Sequence, residues 1–139
     1  TFLQRAYDQI VHDVCLQKLP VVFAVDRAGI VGADGETHQG VFDIAYLSHI
    51  PNMVLLSPKN KWELEDMLEF AITLKKPVAL RYPRGIASEE FQDSRTPIVY
   101  GKSEVIQKGS KIAILTEGHM LSFAMEAAEK LKEEVINKR

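Results

Sequence analysis

Four short apolar runs constrain the fold: Val21-Val22-Phe23-Ala24-Val25, Met53-Val54-Leu55-Leu56, Val78-Ala79-Leu80 and Ile112-Ala113-Ile114-Leu115. They are continuous and rich in β-branched residues rather than alternating, as strands buried on both faces of a parallel sheet are. Each lies beside a helical pattern. The clearest helix has Asn60 at its N-cap and Glu63 three residues on, a capping-box spacing. Leu64, Met67, Leu68, Ala71 and Ile72 then form one apolar stripe expected to face the sheet. Lys75 and Lys76 suit the negative end of the helix dipole, and Pro77 stops it. Leu3, Ala6, Ile10 and Val14 mark a first helix ended by Pro20; Leu121, Ala124, Met125, Ala128 and Leu131 mark a last one. Strand and helix in alternation predict an α/β fold with a layered parallel sheet.

The polar stretch Pro83 to Pro97, with Ser88, Glu89, Glu90, Asp93 and Ser94, interrupts the alternation and reads as a linker. Ile98 to Lys108 suggests an edge strand or hairpin leading into a new strand–helix unit at Ile112. The expected boundary is therefore near Pro97, giving one domain over 1–97 and the start of a second α/β domain over 98–139. The opening Thr1-Phe2-Leu3-Gln4-Arg5 falls at or inside a first helical turn. Glu133 to Arg139 reads as a helix exit running into an apolar strand. Both ends suggest a fragment cut from a longer protein.

Composition narrows the function classes. With 139 residues, 46% of them apolar, the chain suits a packed core and not a disordered segment. A formal charge of −2 argues against a nucleic-acid binder, which usually carries a basic excess. No run of eighteen apolar residues suggests a membrane span, no leader opens the chain, and the cytoplasm is the expected compartment. The single cysteine, Cys15, reads as a small buried side chain in a helix.

In an open parallel sheet, ligands bind beyond the carboxyl ends of the strands, which selects two loops. Asp26 to Gly40 follows the first strand and is far longer than an ordinary strand-to-helix connection; Arg81-Tyr82-Pro83-Arg84-Gly85 follows the third. In the first loop, His38 is suited to proton transfer near neutral pH, and Asp34 to fixing its tautomer or binding a substrate hydroxyl. The alternative, that Asp34-Gly35 is an ordinary turn and His38 a helix-entry residue, stands beside it. Arg27 and Arg84 fall at the same sheet edge, where two guanidinium forks would grip a phosphate or carboxylate. Arg81, nearer the strand, is expected to be half buried with a carboxylate. One histidine with nearby carboxylates falls short of a zinc ligand set, and no metal site is expected in this chain. His12 and His49 read as structural histidines, and His119 lies just past Glu117-Gly118.

Thr1-Phe2-Leu3-Gln4-Arg5-Ala6-Tyr7-Asp8-Gln9, the run Asp26 to Gly35, Thr37-His38-Gln39-Gly40 and Arg81-Tyr82-Pro83-Arg84-Gly85 closely resemble the 1-deoxy-D-xylulose-5-phosphate synthases. These are transketolase-like thiamine-diphosphate enzymes. Asp-Gly-x-Thr-His-Gln is shared with transketolases; the preceding Asp-Arg-Ala-Gly-Ile-Val-Gly-Ala-Asp-Gly points to the synthases. The resemblance implies decarboxylation of pyruvate and transfer of its two-carbon fragment to glyceraldehyde 3-phosphate, feeding non-mevalonate isoprenoid, thiamine and pyridoxal biosynthesis. It also implies a pyrimidine-binding domain followed by the start of the C-terminal domain, and a homodimer, in plastid stroma if plant-derived. Phe2 would stack on the cofactor's aminopyrimidine, with Arg5 beside it in the site wall. Asp34 and His38 would face the reacting carbon, and Arg27 and Arg84 would hold the acceptor's phosphate. The family's catalytic glutamate and its diphosphate and Mg2+ ligands would lie upstream of Thr1, so the chain alone is expected to be inactive. The alternatives are a transketolase, or a non-catalytic domain that binds a phosphorylated ligand.

Overall fold

A computed structural model of the chain describes residues 2–137. Thr1, with which the family-like opening run begins, and Lys138 and Arg139 lie outside the described residues. Three of the four apolar runs form strands: β1 (Val22–Val25), β2 (Val54–Leu56) and β3 (Val78–Arg81). They make one parallel sheet in the order β1-β3-β2, with Val78 in register with both Val22 and Val54. The central strand, β3, is buried along its whole length, as a continuous apolar run with a neighbour on each side should be.

Side chains alternate across this sheet with the period of two that strand geometry imposes. On one face Phe23, Val25, Leu55 and Ala79 pack with Ile10, Cys15, Leu47 and Ile50. On the other, Val22, Val54, Leu56 and Val78 pack with Ala71 and Leu74. The first face is covered by the N-terminal helical segment and by α2 (Asp43–Ser48), the second by α3 (Lys61–Leu74). The N-terminal segment is not one regular helix. A 3-10 stretch, Phe2–Ala6, leads into α1 (Tyr7–Gln9), which widens into a π-helix, Ile10–Cys15. The wide turns show in the i→i+5 bonds from Leu16 N–H to the Val11 carbonyl and from Leu19 N–H to the Val14 carbonyl. They bring both Ile10 and Cys15 into the core.

Helix α3 starts as its sequence predicts. The Asn60 side-chain oxygen accepts from Glu63 N–H at 2.9 Å, while the Glu63 carboxylate accepts from Lys59 N–H at 2.7 Å, one residue before the usual capping-box partner. Lys75 closes the helix in the left-handed conformation. The apolar stripe is narrower than expected: Ala71 and Leu74 meet the sheet, whereas Leu68 and Ile72 are 44% and 57% exposed. A helix laid over a three-stranded sheet meets it along one line, and these two positions lie beside that line.

Three expectations for the later part of the chain do not hold. Ile112 to Leu115 is not a strand, and Leu115 is 97% exposed. A strand exists through pairing, and no backbone hydrogen bond ties this run to a described strand. Ile98 to Lys108 forms neither edge strand nor hairpin, only a turn closed by Lys102 N–H on the Val99 carbonyl. At the far end, among the described residues, Glu133 to Asn137 does not leave the helix for a strand: α4 (Leu121–Asn137) continues through Val135 and Ile136. The polar stretch after β3 is irregular, as expected, but not loose. The Asn60 amide donates to the Glu90 carbonyl at 2.9 Å, and Arg95 grips Asp66 with two bonds of 2.8 and 2.6 Å.

Asn60 thus caps α3 and also holds the strap that crosses it. Asn60→Ala should lower stability by about 1–2 kcal/mol, the upper range for a lost cap. The fall would be read as a lower midpoint in chemical denaturation, whereas Asn60→Asp, which keeps the cap and loses only the amide donor, should cost less.

Candidate functional site

The site grows from the carboxyl ends of β1 and β3. The ladder runs past both strands: Tyr82 N–H donates to the Val25 carbonyl at 3.0 Å and Ala28 N–H to the Tyr82 carbonyl at 2.9 Å. Between those bonds Arg27 takes a positive φ of 60°, turning the chain out of the sheet. The long loop then closes on itself. Gly29 and Gly40 exchange two backbone bonds of 2.8 and 2.9 Å, forming a neck below residues 30–39. At that neck a β-carbon on Gly40 would lie 2.0 Å from the Arg27 carbonyl oxygen, so no other residue fits.

Inside the loop the Gln39 amide does the stitching. Its oxygen accepts from Val31 N–H at 2.6 Å, and its NH2 donates to the carbonyls of Val31 and Gly35, both at 3.1 Å. Two tight turns complete it, Asp34 N–H to the Val31 carbonyl and His38 N–H to the Gly35 carbonyl. Sequence reasoning does not single out Gln39 for this role. A side-chain amide within a glycine-rich loop is the signal that could have found it, since such a loop has backbone groups to satisfy and few side chains to do it. Asp34-Gly35 is thus the junction between turns centred on Gly32-Ala33 and Glu36-Thr37 rather than a turn itself, and His38 does not enter a helix, since α2 begins only at Asp43.

Asp34 places its carboxylate between the two arginines expected at this edge. Arg27 Nε donates to Asp34 Oδ2 at 2.8 Å, and an Arg84 terminal nitrogen donates to Oδ1. The Asp34 side chain is only 12% exposed, while both guanidiniums reach solvent. A second carboxylate, half-exposed Asp26, also bonds Arg27, at 3.2 Å. The two arginines expected at this edge therefore meet, and what they grip is a carboxylate of the chain itself.

Beside the grip lies a cleft of about 430 Å³, lined by Phe2, Leu3, β1, Asp26, Arg27 and His38. The Phe2 ring meets the His38 imidazole edge to face, centroids 5.1 Å apart, and the Arg5 guanidinium sits 5.2 Å from the Phe2 centroid. His38 Nδ1 is 3.0 Å from Thr37 Oγ1. All six residues singled out in the sequence thus gather around one cleft and its rim. His12 and His49 stand apart: His12 pairs with Asp8, and His49 bonds the Ala45 carbonyl and the Tyr7 hydroxyl. Among the described residues no three His, Cys, Asp or Glu side chains group as metal ligands.

Arg81 is more buried than expected, 5% exposed. Its Nε donates to Asp43 Oδ2 at 2.7 Å and its other nitrogens reach Asp43 Oδ1, Glu117 and Ser57. Burial opposes the charge, but the hydrogen bonds to Asp43 and Glu117 outweigh it and hold the guanidinium above its ordinary pKa.

An open parallel sheet with a glycine-necked loop, an arginine pair and an aromatic-walled cleft at its carboxyl edge is the arrangement in which α/β domains carry their ligand sites. The chain belongs to the transketolase family: residues 1–89 match the transketolase pyrimidine-binding domain, and residues 101–139 match the transketolase C-terminal domain. It is 59% identical over 138 residues to a 1-deoxy-D-xylulose-5-phosphate synthase of Caldanaerobacter subterraneus subsp. tengcongensis, covering 99% of this chain and 22% of that protein. Another, of Lachnoclostridium phytofermentans, is 55% identical over 131 residues, covering 94% of this chain and 21% of its own. The chain thus spans about a fifth of the length of these relatives. Among solved structures, a split-gene transketolase described as an inactive β4 tetramer superposes with a TM-score of 0.83 at 29% identity, over 96% of this chain and 43% of that one.

The neck can be tested without any ligand. Gly40→Ala should destabilise the protein by about 2 kcal/mol or more, because the methyl meets backbone that cannot move aside. Gly32→Ala, with open space at that position, should stay within about 0.5 kcal/mol of wild type. Thermal unfolding of the two variants side by side measures the difference.

Proposed function

We propose that the chain is part of a 1-deoxy-D-xylulose-5-phosphate synthase, and that it supplies the wall and the acceptor-binding edge of that enzyme's active site. The whole protein would decarboxylate pyruvate and join the two-carbon fragment to glyceraldehyde 3-phosphate. The observation that carries this reading is the meeting of Arg27, Asp34 and Arg84 beside the cleft walled by Phe2 and His38. The high identity of the two synthases over nearly the whole chain supports it.

Thiamine diphosphate, when bound, supplies the electron sink for the two-carbon fragment. The cleft suits the cofactor's flat heteroaromatic end: among the described residues β1 is an edge strand of the sheet, and the Phe2 ring lines the cleft beside it. Phe2 and Arg5 would hold that end. The diphosphate and Mg2+ would be held by residues elsewhere in the whole protein, which would act in the cytoplasm, or in plastid stroma, as a homodimer. His38 would protonate the alkoxide that develops when an aldehyde is attacked, and Thr37, whose Oγ1 lies 3.0 Å from Nδ1, would orient its ring. Arg27 and Arg84 would take the acceptor's phosphate. A dianion competes well with one carboxylate for two guanidiniums, so binding would draw them off Asp34 and leave its oxygens free to orient the substrate's hydroxyls. Energy from that remote phosphate would then fix the reacting carbonyl.

In the full-length enzyme, Arg84→Ala should lower kcat/KM for glyceraldehyde 3-phosphate by about a hundredfold, the scale of a lost charged contact, and change carbon dioxide release from pyruvate much less. His38→Ala should slow product formation while leaving the thermal transition in place. Absence of carbon dioxide release from pyruvate by the wild-type enzyme would favour transketolase activity. The 139-residue chain by itself should form no product from the same substrates with thiamine diphosphate and Mg2+.

A further inference from the structure

The segment that matches the C-terminal domain touches the site's framework at one turn, Glu117-Gly118-His119. Glu117 accepts from Arg81, and Ser57 donates to the same carboxylate oxygen. Gly118, at a φ of +54°, lies so close to Ser57 that a β-carbon there would stand 2.7 Å from its Oγ. The His119 ring lies over the loop neck, with Cε1 3.7 Å from where a Gly29 side chain would begin. None of these residues lines the cleft.

Arg81 is the point where this turn can act. It lies three residues before Arg84 on the same strand exit, and its partner Asp43 opens α2 three residues after Gly40, where the long loop ends. The Arg81–Asp43 pair therefore ties the exit of β3, which carries Arg84, to the exit of the loop, which carries Asp34. Glu117 sets the remaining donors of the same guanidinium. With His119 at Gly29, the turn contacts both supports of the anion grip from outside it.

We infer that Glu117 is a positioning residue: through Arg81 it sets the spacing of Arg84 relative to Arg27, and so tunes affinity for the phosphate group of the acceptor. This rests on the reading of the arginine pair as a phosphate grip. Another contact between the same two segments provides the control. Lys59 bonds Glu63 on α3 and reaches Glu104 of the C-terminal segment, with no bond to the loop or to β3.

The test uses the full-length protein with Glu117→Gln, Glu117→Asp and Glu104→Gln, titrated with inorganic phosphate by calorimetry and assayed with glyceraldehyde 3-phosphate and with unphosphorylated glyceraldehyde. Glu117→Gln should weaken phosphate binding and raise KM for the phosphorylated aldehyde by about tenfold, the scale of a shifted rather than deleted contact. Its use of glyceraldehyde should be unchanged. Glu117→Asp should recover most of the affinity, and Glu104→Gln should bind phosphate as wild type does. Wild-type phosphate affinity in Glu117→Gln, or an equal loss in Glu104→Gln, overturns the inference. A wild-type protein that binds phosphate but does not turn over pyruvate overturns the proposed function instead, and the phosphate titration then still decides the role of Glu117.

Discussion

The buried ion pair between Arg81 and Asp43 is the constraint on which the rest of the site depends. Two charges are withdrawn from water at the end of the central strand, where each is costly without the other. Removing one partner of such a pair typically costs about 3–5 kcal/mol, because the survivor is left buried and uncompensated. That penalty holds the exit of β3 against the start of α2. Both ends of the long loop are thereby fixed, one by the ladder through Ala28 and Tyr82 and the other by Asp43. The arginines and Asp34 meet because their supports cannot drift apart.

The loop itself is held in shape by a different set of contacts. It has no core of its own, so its order comes from closing its neck at Gly29 and Gly40 and from spending one side-chain amide on three backbone groups. A loop held this way can present polar side chains at fixed positions, which binding and proton transfer both require. The neck demands a residue without a side chain at Gly40, and the backbone carbonyl of Arg27 is what excludes the others.

Much of this was legible in the sequence where local pattern decides. The three strands of the sheet and the cap at Asn60 follow from apolar runs and spacing, whereas the helix expected to run to Pro77 already ends at Leu74, with Lys75 in the left-handed conformation. Arg27 and Arg84 could be assigned to one edge because parallel topology brings the carboxyl ends of strands together. What failed depends on partners distant in the chain. Ile112 to Leu115 has the composition of a strand, but composition does not supply a neighbour. That Arg81 is buried with a carboxylate could be anticipated from its place at a strand end. That the carboxylates are Asp43 and Glu117, 38 and 36 residues away, could not. Likewise Asp34, which the family resemblance sets toward the reacting carbon, here turns its carboxylate to the two guanidiniums, a contact that needs the loop closed over both strands.

The central claim is that the edge formed by Arg27, Asp34 and Arg84 receives the acceptor's phosphate. A crystal structure of the full-length protein with glyceraldehyde 3-phosphate bound tests it most directly. The account predicts phosphate oxygens within hydrogen-bond distance of both guanidiniums, with at least one of the two drawn off Asp34. A phosphate bound elsewhere, with Arg27 and Arg84 still closed on Asp34, would contradict it.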